Sequence, residues 1–342
     1  MSLYIPILSP VLLNLPLLFP SFYQSMSRAR NILENLITKA INMTERTSLS
    51  SAGSRGSTPA RPAKVSDYTG VDHPSKMSPL KSASRDPCQV KPLQIKVSDN
   101  QDGSVPGFLH LPSDFSRPTS TEKSKTTGAI LLSGAGGGVT GPSAMYLSMA
   151  TKLATLSNGI PVLRLDYRFP ARNKYCVSDV LSAMDHLGNE YGMQHYILVG
   201  WSFGGAPVFT VGGSDSRVIG CATVASQTAE TEGIRTMSPK PVFLLHGTGD
   251  RTLSPACSER LYNMYGEKGD RRIAFFDNDD HGLTKNAEKA EEMLCEFIME
   301  VAELHVAGAE KEGIVEKELM DGEERKDKMR KGGDLRGQES LK

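Results

Sequence analysis

Short apolar runs alternate with segments of helical periodicity between about residues 93 and 305. The runs are LQIKV (93–97), GFLHL (107–111), GAILLS (128–133), PVLRLDY (161–167), YILVGW (196–201), VIGCATVA (218–225), PVFLLHG (241–247) and RIAFF (272–276). Near-continuous apolar runs of this length are typical of strands that helices cover on both faces, and the first two runs predict a hairpin. The alternation therefore predicts an α/β protein with a mostly parallel, doubly wound sheet of about eight strands.

The segments between the runs predict one helix that starts at Ser202 and others at about 142–156, 177–191, 255–265 and 286–303. Between the sixth and seventh runs lies only SQTAETEGIRTMSPK (226–240), which is polar and lacks the wide apolar stripe of a helical lid. We therefore predict no cap domain, and we expect Ser202 to be exposed at the rim of the sheet.

The sequence on either side of this core has a different composition. Residues 1–92 form a predicted disordered or targeting head, residues 93–305 the domain, and residues 306–342 a charged, largely disordered tail. The first half of the tail is also compatible with an extension of the last helix.

The head opens on an uncharged apolar stretch from Leu3 to Tyr23 that four prolines interrupt. Because proline costs about 3 kcal/mol inside a helix and no basic residue precedes the stretch, a signal peptide or a membrane span is disfavoured, although Arg28 and Arg30 leave an anchor open. Residues 24–92 are rich in Ser, Arg, Lys and Pro, and they fit either a transit peptide or a disordered linker.

Charge and cysteine content narrow the function classes. The 342 residues include 39 basic and 39 acidic side chains, for a formal net charge of +0, so neither nucleic acid nor a membrane is the expected partner. Five scattered cysteines without metal-ligand spacing favour reduced thiols in an intracellular, cytoplasmic protein. Organellar import through the head and protein partners bound by the tails stay open, and no cofactor or metal is predicted.

The motif Gly200-Trp201-Ser202-Phe203-Gly204 has the form GxSxG and joins an apolar strand to a predicted helix. This context is typical of a nucleophile elbow, in which the serine occupies a sharp, strained turn. Glycines on both sides of Ser202 avoid the clash that a Cβ atom would cause there. Ser202 is therefore the candidate nucleophile.

A serine nucleophile needs a base within hydrogen-bond reach. In α/β-hydrolases the triad follows the order serine, acid, histidine, which favours Asp250 as the acid and His281 as the base. Asp279 and Asp280 adjoin His281 and are rival acids, and His246 is predicted to brace the loop of Asp250. The other histidines of the core are His110, His186 and His195.

The loop SGAGGG (133–138) follows the third run. A backbone N–H group of Ala135 or Gly136, together with that of Phe203, would form an oxyanion hole. A phosphate-binding interpretation fails, because Val139 occupies the position of the third glycine of GxGxxG and no Walker lysine follows.

Five motifs, LLSGAGGG, VLRLDYRF, GWSFGG, LLHGTGD and DHG, occur in this order along the core. They resemble the dienelactone-hydrolase-like branch of the α/β-hydrolases. More narrowly, VLRLDYRF with GWSFGG resembles the hydrolase-like domain shared by a testis-expressed protein and the third regulatory subunit of the NSL histone acetyltransferase complex. The resemblance covers residues 93–305 and implies a triad of Ser202, Asp250 and His281. Ser133 departs from the pattern, since many esterases have the histidine of an HGGG-type motif there.

These residues predict a serine hydrolase, either a carboxylesterase or a dienelactone-hydrolase-like enzyme, that acts on a small ester or a related acyl bond. Ser202 would attack the carbonyl carbon, His281 would carry the proton, and water would release the acyl-enzyme. The alternative is a catalytically idle α/β-hydrolase-like interaction module or complex subunit, as the chromatin-complex relatives imply.

Overall fold

In the computed structural model, which describes residues 64–77, 80, 87–336 and 341, eight strands form one sheet. The strands are β1 (Cys88–Val97), β2 (Gly103–Pro112), β3 (Thr127–Leu132), β4 (Val162–Leu165), β5 (His195–Trp201), β6 (Val218–Val224), β7 (Val242–Gly247) and β8 (Arg271–Phe276). Their order is β1-β2-β4-β3-β5-β6-β7-β8. β2 is antiparallel to β1 and β4, and the other neighbours are parallel. The predicted mostly parallel sheet of about eight strands is confirmed, as is its opening hairpin.

Within the described residues, six longer helices accompany the sheet. They are α1 (Met145–Thr155), α2 (Asn173–Tyr191), α3 (Gly205–Ser214), α4 (Ala256–Tyr265), α5 (Ala287–Val301) and α6 (Gly322–Gly332). Buried residues of α1 and α5 pack with one face of the sheet, and those of α2, α3 and α4 pack with the other. Alternate residues of a strand enter opposite layers: Ile197 and Val199 of β5 face α1 and α5, whereas Leu198 faces α2 and α3. Both faces are therefore covered, which explains the near-continuous apolar runs.

The carboxyl ends of the parallel strands meet at one edge of the sheet. The loops that follow β3, β5, β7 and β8 start there, and they carry all of the predicted site residues. The connection between β6 and β7 contains only a short 3-10 helix, Glu232–Thr236. Among the described residues, no helical cap is inserted between these two strands.

The apolar stretch Leu3–Tyr23 and the remainder of the head up to residue 63 lie outside the described residues. The alternatives for them, an anchor, a transit peptide or a linker, stay predictions. No helix within the described ranges has the length and hydropathy of a membrane span.

The described parts of both flanks pack on the core, where the sequence predicts disorder. The sheet begins at Cys88, before the predicted boundary at residue 93, and Tyr68 and Val71 of the head are buried against Phe108 and Val139. After residue 305 the chain forms short helical turns and then α6. The buried tail residues are Val315, Leu319, Met320, Arg325, Met329 and Asp334.

Arg325 shows why composition does not predict this packing. Its side chain is 5% exposed and lies within 3.1 Å of Glu291 Oε2 on α5, and it donates to the carbonyl of Ser143. Lys152 of α1 pairs with the same carboxylate. A charge count treats Arg325 as a solvated residue, whereas the tertiary structure supplies its buried counter-ion.

Replacement of Arg325 by alanine should lower the free energy of unfolding by about 1–3 kcal/mol, because the buried Ser143 carbonyl loses its donor and Glu291 loses one of its two counter-ions. Urea unfolding of the variant measures the loss. Lys326→Ala is the matched control, because the neighbouring Lys326 on α6 is exposed and its removal deletes the same charge. Equal unfolding midpoints for the two variants would contradict a docked tail.

Candidate active site

Ser202 occupies a sharp turn between β5 and α3. Its φ is 56°, in the left-handed region that a non-glycine residue rarely adopts. A Cβ atom on Gly200 would collide with the carbonyl oxygen of Gly204, and one on Gly204 would collide with that of Leu132. The two glycines therefore permit the close approach of strand, turn and helix. The predicted strand–serine–helix context is present at this position.

His281 and Asp250 lie in the loops after β8 and β7 and contact each other. His281 Nδ1 is 2.7 Å from Asp250 Oδ2, although the residues are 31 positions apart. Both side chains are buried, with His281 0% and Asp250 9% exposed. Since Nδ1 faces the carboxylate, the ring presents Nε2 on its opposite side.

The rival carboxylates have other partners. Asp279 accepts the backbone N–H groups of Lys285 and Asn286. Asp280 accepts those of Gly282 and Thr284. These contacts shape the loop that carries His281, whereas Asp250 is the carboxylate that contacts its ring.

Two contacts hold His281 beside the turn of Ser202. Trp201, the residue before Ser202, donates from Nε1 to the carbonyl of His281 at 2.9 Å, and the two rings lie 5.5 Å apart between centroids. The hydroxyl of Ser143 donates to the carbonyl of Gly282 at 2.8 Å. The backbone of the histidine loop is thus anchored on β5 and at the start of α1.

Asp250 is an ionised carboxylate in a buried setting. Burial acts to raise its pKa, but hydrogen bonds from His246 and His281, with the N–H group of Leu253, hold the pKa well below its ordinary value. The N–H groups of Thr252 and Leu253 donate to Oδ1 at 2.7 and 2.9 Å, which leaves Oδ2 for the imidazoles. Asp250 is therefore charged throughout the pH range of ordinary enzyme assays.

His246, at the end of β7, contacts Asp250 through Oδ2, the same oxygen that faces His281. Its Nε2 lies 3.1 Å from both Asp250 Oδ2 and the carbonyl oxygen of Leu253. Its Nδ1 is 2.7 Å from the hydroxyl of Ser258 on α4. Because two acceptors face Nε2, we assign the ring proton to that nitrogen. His246 braces this loop, as predicted.

The glycine loop, residues 133–141, follows β3 and contains the predicted donors Ala135 and Gly136. The N–H group of Gly138 donates to Asp166 Oδ1 at 2.8 Å. Phe203, the third predicted donor, is buried, and its ring packs edge-on against Tyr167 at 5.9 Å. The loop and the turn of Ser202 are neighbours, because β3 and β5 pair in parallel up to Leu132 and Gly200.

The C-terminal segment, here residues 334–336 and 341, contacts the loops of the predicted site. This contact was not predicted. Asp334 is fully buried against the glycine loop, with its carboxylate among backbone and hydroxyl donors of that loop. No local signal indicates this contact, because Asp334 lies in the charged tail MRKGGDLRG. The nearest indication is the glycine pair before it, of which Gly333 ends α6 with a φ of 83°.

The expectation of an exposed Ser202 was wrong. Ser202 lies at the rim, but its exposed fraction is 6%. The backbone of Arg336 lies so close to Gly136 that a Cβ there would strike its carbonyl oxygen, and the side chain of Leu341 lies against Gly282, beside His281. Two residues of the C-terminal segment thus approach the loops on either side of the predicted site, although the connection between β6 and β7 is as short as predicted.

A cleft of about 790 Å³ in the described part of the chain is lined by residues around Pro112, Lys125, Asn158 and Pro161. These residues precede or adjoin the amino ends of β3 and β4, whereas Ser202 follows the carboxyl end of β5. The cleft is thus separate from the predicted site. Among the residues that the structure describes, no three His, Cys, Asp or Glu side chains are grouped so that they could hold a metal ion.

The structure shows an otherwise parallel sheet in which β2 is antiparallel. It also shows a serine in a strained turn after β5. The chain has an α/β-hydrolase fold. The predicted site residues Ser202, Asp250 and His281 follow β5, β7 and β8 in the chain order serine, acid, histidine of that fold.

Comparison with known proteins adds structural likenesses at low identity. No family model and no curated protein matches the sequence. The esterase domain of a Rhodothermus marinus protein is 18% identical, with a TM-score of 0.48 over 62% of this chain and 98% of that one. Est1E from Butyrivibrio proteoclasticus is 14% identical, with a TM-score of 0.49 over 61% and 98% of the chains. A dienelactone hydrolase from Anabaena variabilis is 16% identical, with a TM-score of 0.47 over 61% and 98%.

Proposed function

We propose that the protein is a serine hydrolase that cleaves a small ester or a related acyl bond. The observation that carries the proposal is the buried pair of His281 and Asp250, joined at 2.7 Å on the same sheet edge as Ser202. A structural role alone does not require a strained serine beside a histidine that an ionised carboxylate orients.

In the proposed reaction, Ser202 Oγ attacks the carbonyl carbon while His281 Nε2 takes its proton. The N–H group of Phe203, with that of Ala135 or Gly136, donates to the oxyanion. The imidazolium, which Asp250 stabilises, then protonates the leaving alcohol, and an acyl-enzyme remains on Ser202. Water, activated by His281, attacks the acyl carbon and returns the free enzyme and a carboxylic acid.

Small substrates fit this site better than long lipids. The connection between β6 and β7 has no lid helix, and Ser202 itself is only 6% exposed. A carboxylesterase or a dienelactone-hydrolase-like enzyme is therefore the proposed type. The narrower kinship to the NSL subunit and its testis-expressed relative, and an intracellular location, stay predictions from the sequence.

We expect the protein to hydrolyse nitrophenyl acetate and butyrate faster than nitrophenyl laurate, with no jump in rate at the concentration where the laurate ester forms an interface. The physical reason is the burial of Ser202, together with a connection between β6 and β7 that inserts no lid helix. Initial rates over a concentration series of each ester measure this. A preference for laurate with interfacial activation would contradict the small-ester proposal.

The same assay tests the alternative of an idle interaction module. Absence of hydrolysis for every ester, together with absence of covalent labelling by a fluorophosphonate probe, would support the module and overturn the enzyme. Labelling without hydrolysis of these esters would support Ser202 as the nucleophile and would indicate a different substrate.

A further inference from the structure

Asp334 contacts both ends of the glycine loop. Its carboxylate accepts from the hydroxyl of Ser133 and from the N–H group of Gly141 at 2.7 Å. It also accepts from Thr140, whose N–H group lies at 2.9 Å and whose hydroxyl lies at 2.6 Å. One fully buried carboxylate thus receives four hydrogen bonds from three residues that lie about 200 positions earlier in the chain.

The glycine loop depends on such external contacts for its shape. Gly136, Gly137 and Gly138 give its centre a wide choice of backbone conformations. Apart from Asp334, the contacts that hold it include Asp166, which accepts from Gly138, and Arg164, which donates to the carbonyl of Val139. The proposed oxyanion donors Ala135 and Gly136 lie between Ser133 and Thr140, the residues that Asp334 joins.

The backbone of Asp334 also packs closely against the loop. A Cβ atom on Gly138 would lie 2.7 Å from the backbone nitrogen of Asp334. The backbone of Arg336 contacts Gly136. Residues 334–336 therefore pack along one side of the loop. A larger residue at Gly136 or Gly138 would force the loop into another conformation.

We propose that Asp334 is a positioning residue for the oxyanion loop: the carboxylate of the C-terminal segment holds Ser133, Thr140 and Gly141 so that the N–H group of Ala135 or Gly136 meets the developing oxyanion. The inference rests on the proposed serine-hydrolase function. The tail would then contribute to the reaction, because residues 93–305 alone lack the carboxylate that orders this loop. Asp334 touches no reacting atom and acts through the loop.

The charge of Asp334 strengthens the contact. Burial raises the pKa of Asp334 to about 6, while the hydrogen bonds from Ser133, Thr140 and Gly141 oppose the rise. At pH 8 the group is a carboxylate, and hydrogen bonds to an ionised acceptor are about twice as strong as neutral ones. An amide of the same shape would lose this charge and would turn an N–H₂ group toward loop donors.

Asp334→Asn should lower kcat for nitrophenyl acetate by about 10- to 100-fold at pH 8, with KM changed less than about threefold, because misplaced oxyanion donors weaken the transition state and not the bound ester. Ser133→Ala and Thr140→Val each remove one hydroxyl donor to Asp334 and should give smaller losses, also in kcat. Met320→Ala is the control, since it loosens tail packing without removing a hydrogen bond to the loop.

The outcomes separate this inference from the proposed function. A wild-type kcat in folded Asp334→Asn, with an active wild type, overturns the positioning role alone. An increased kcat overturns it as well, because the tail would then restrain the site. Equal losses in Met320→Ala show a general stability effect and also contradict it. If Asp334→Asn does not fold, kcat-selective losses in Ser133→Ala and Thr140→Val support the proposal, and their absence overturns it. A wild type without hydrolysis or fluorophosphonate labelling overturns both proposals.

Discussion

Ser202→Ala should reduce ester hydrolysis by a factor on the order of 10⁴ or more and abolish labelling by a fluorophosphonate probe. Without Oγ no acyl-enzyme forms, and the proposed oxyanion donors alone stabilise direct attack by water only weakly. Alanine keeps the Cβ atom of Ser202 and removes only the hydroxyl, so the change should alter the fold little. Rates with nitrophenyl acetate and intact-protein mass after incubation with the probe measure both effects.

Ser214→Ala is the matched control for this change. Ser214 ends α3, the helix that begins just after Ser202, and its hydroxyl donates to the carbonyl of Thr210 within that helix. This variant should hydrolyse and label as the wild type does. Equal labelling of Ser202→Ala and wild type would place the nucleophile elsewhere. An equal loss of activity in Ser214→Ala would show that a change in the helix, and not the loss of the Ser202 hydroxyl, causes the effect.

Asp250→Asn should lower kcat by about 10³- to 10⁴-fold while the protein remains folded. In the wild type, the charged Oδ2 accepts from His281 Nδ1 at 2.7 Å and stabilises the imidazolium that forms when Ser202 loses its proton. An amide at this position offers no charge, and its N–H₂ group favours the wrong tautomer of His281. Steady-state kinetics measure the loss, and circular dichroism checks the fold.

Asp277→Asn removes the same charge from an exposed position that directly follows β8, and it should leave kcat within about twofold of the wild type. Because the pKa of Asp250 is held well below its ordinary value, the wild type should lose no activity through this carboxylate at any pH above about 5. Retention of full activity by folded Asp250→Asn would contradict the assignment of Asp250 as the acid. An equal loss of kcat in Asp277→Asn would attribute the effect to the change in net charge.

The elements of the fold and the order of the site residues were available from local pattern. An apolar run such as YILVGW must be buried on both faces, and glycines on both sides of Ser202 mark the close approach of β5 and α3. Asp250 and His281 were predicted from the chain order serine, acid, histidine and from their positions in loops after apolar runs, since parallel strands bring their carboxyl ends to one edge. These inferences need short stretches of sequence, the triad order of α/β-hydrolases and the geometry of a parallel sheet.

The sequence by itself determined the sheet, the short connection between β6 and β7, and the positions of Ser202, Asp250 and His281 at one edge. Only the tertiary structure decided that Arg325 pairs with Glu291, that Asp334 lies in the glycine loop, and that Ser202 is 6% exposed. The reason is physical. A charged side chain is stable inside a protein only where a counter-ion or several donors meet it. For Asp334 those donors are Ser133, Thr140 and Gly141, so distant in the chain that no local composition or periodicity reports their approach.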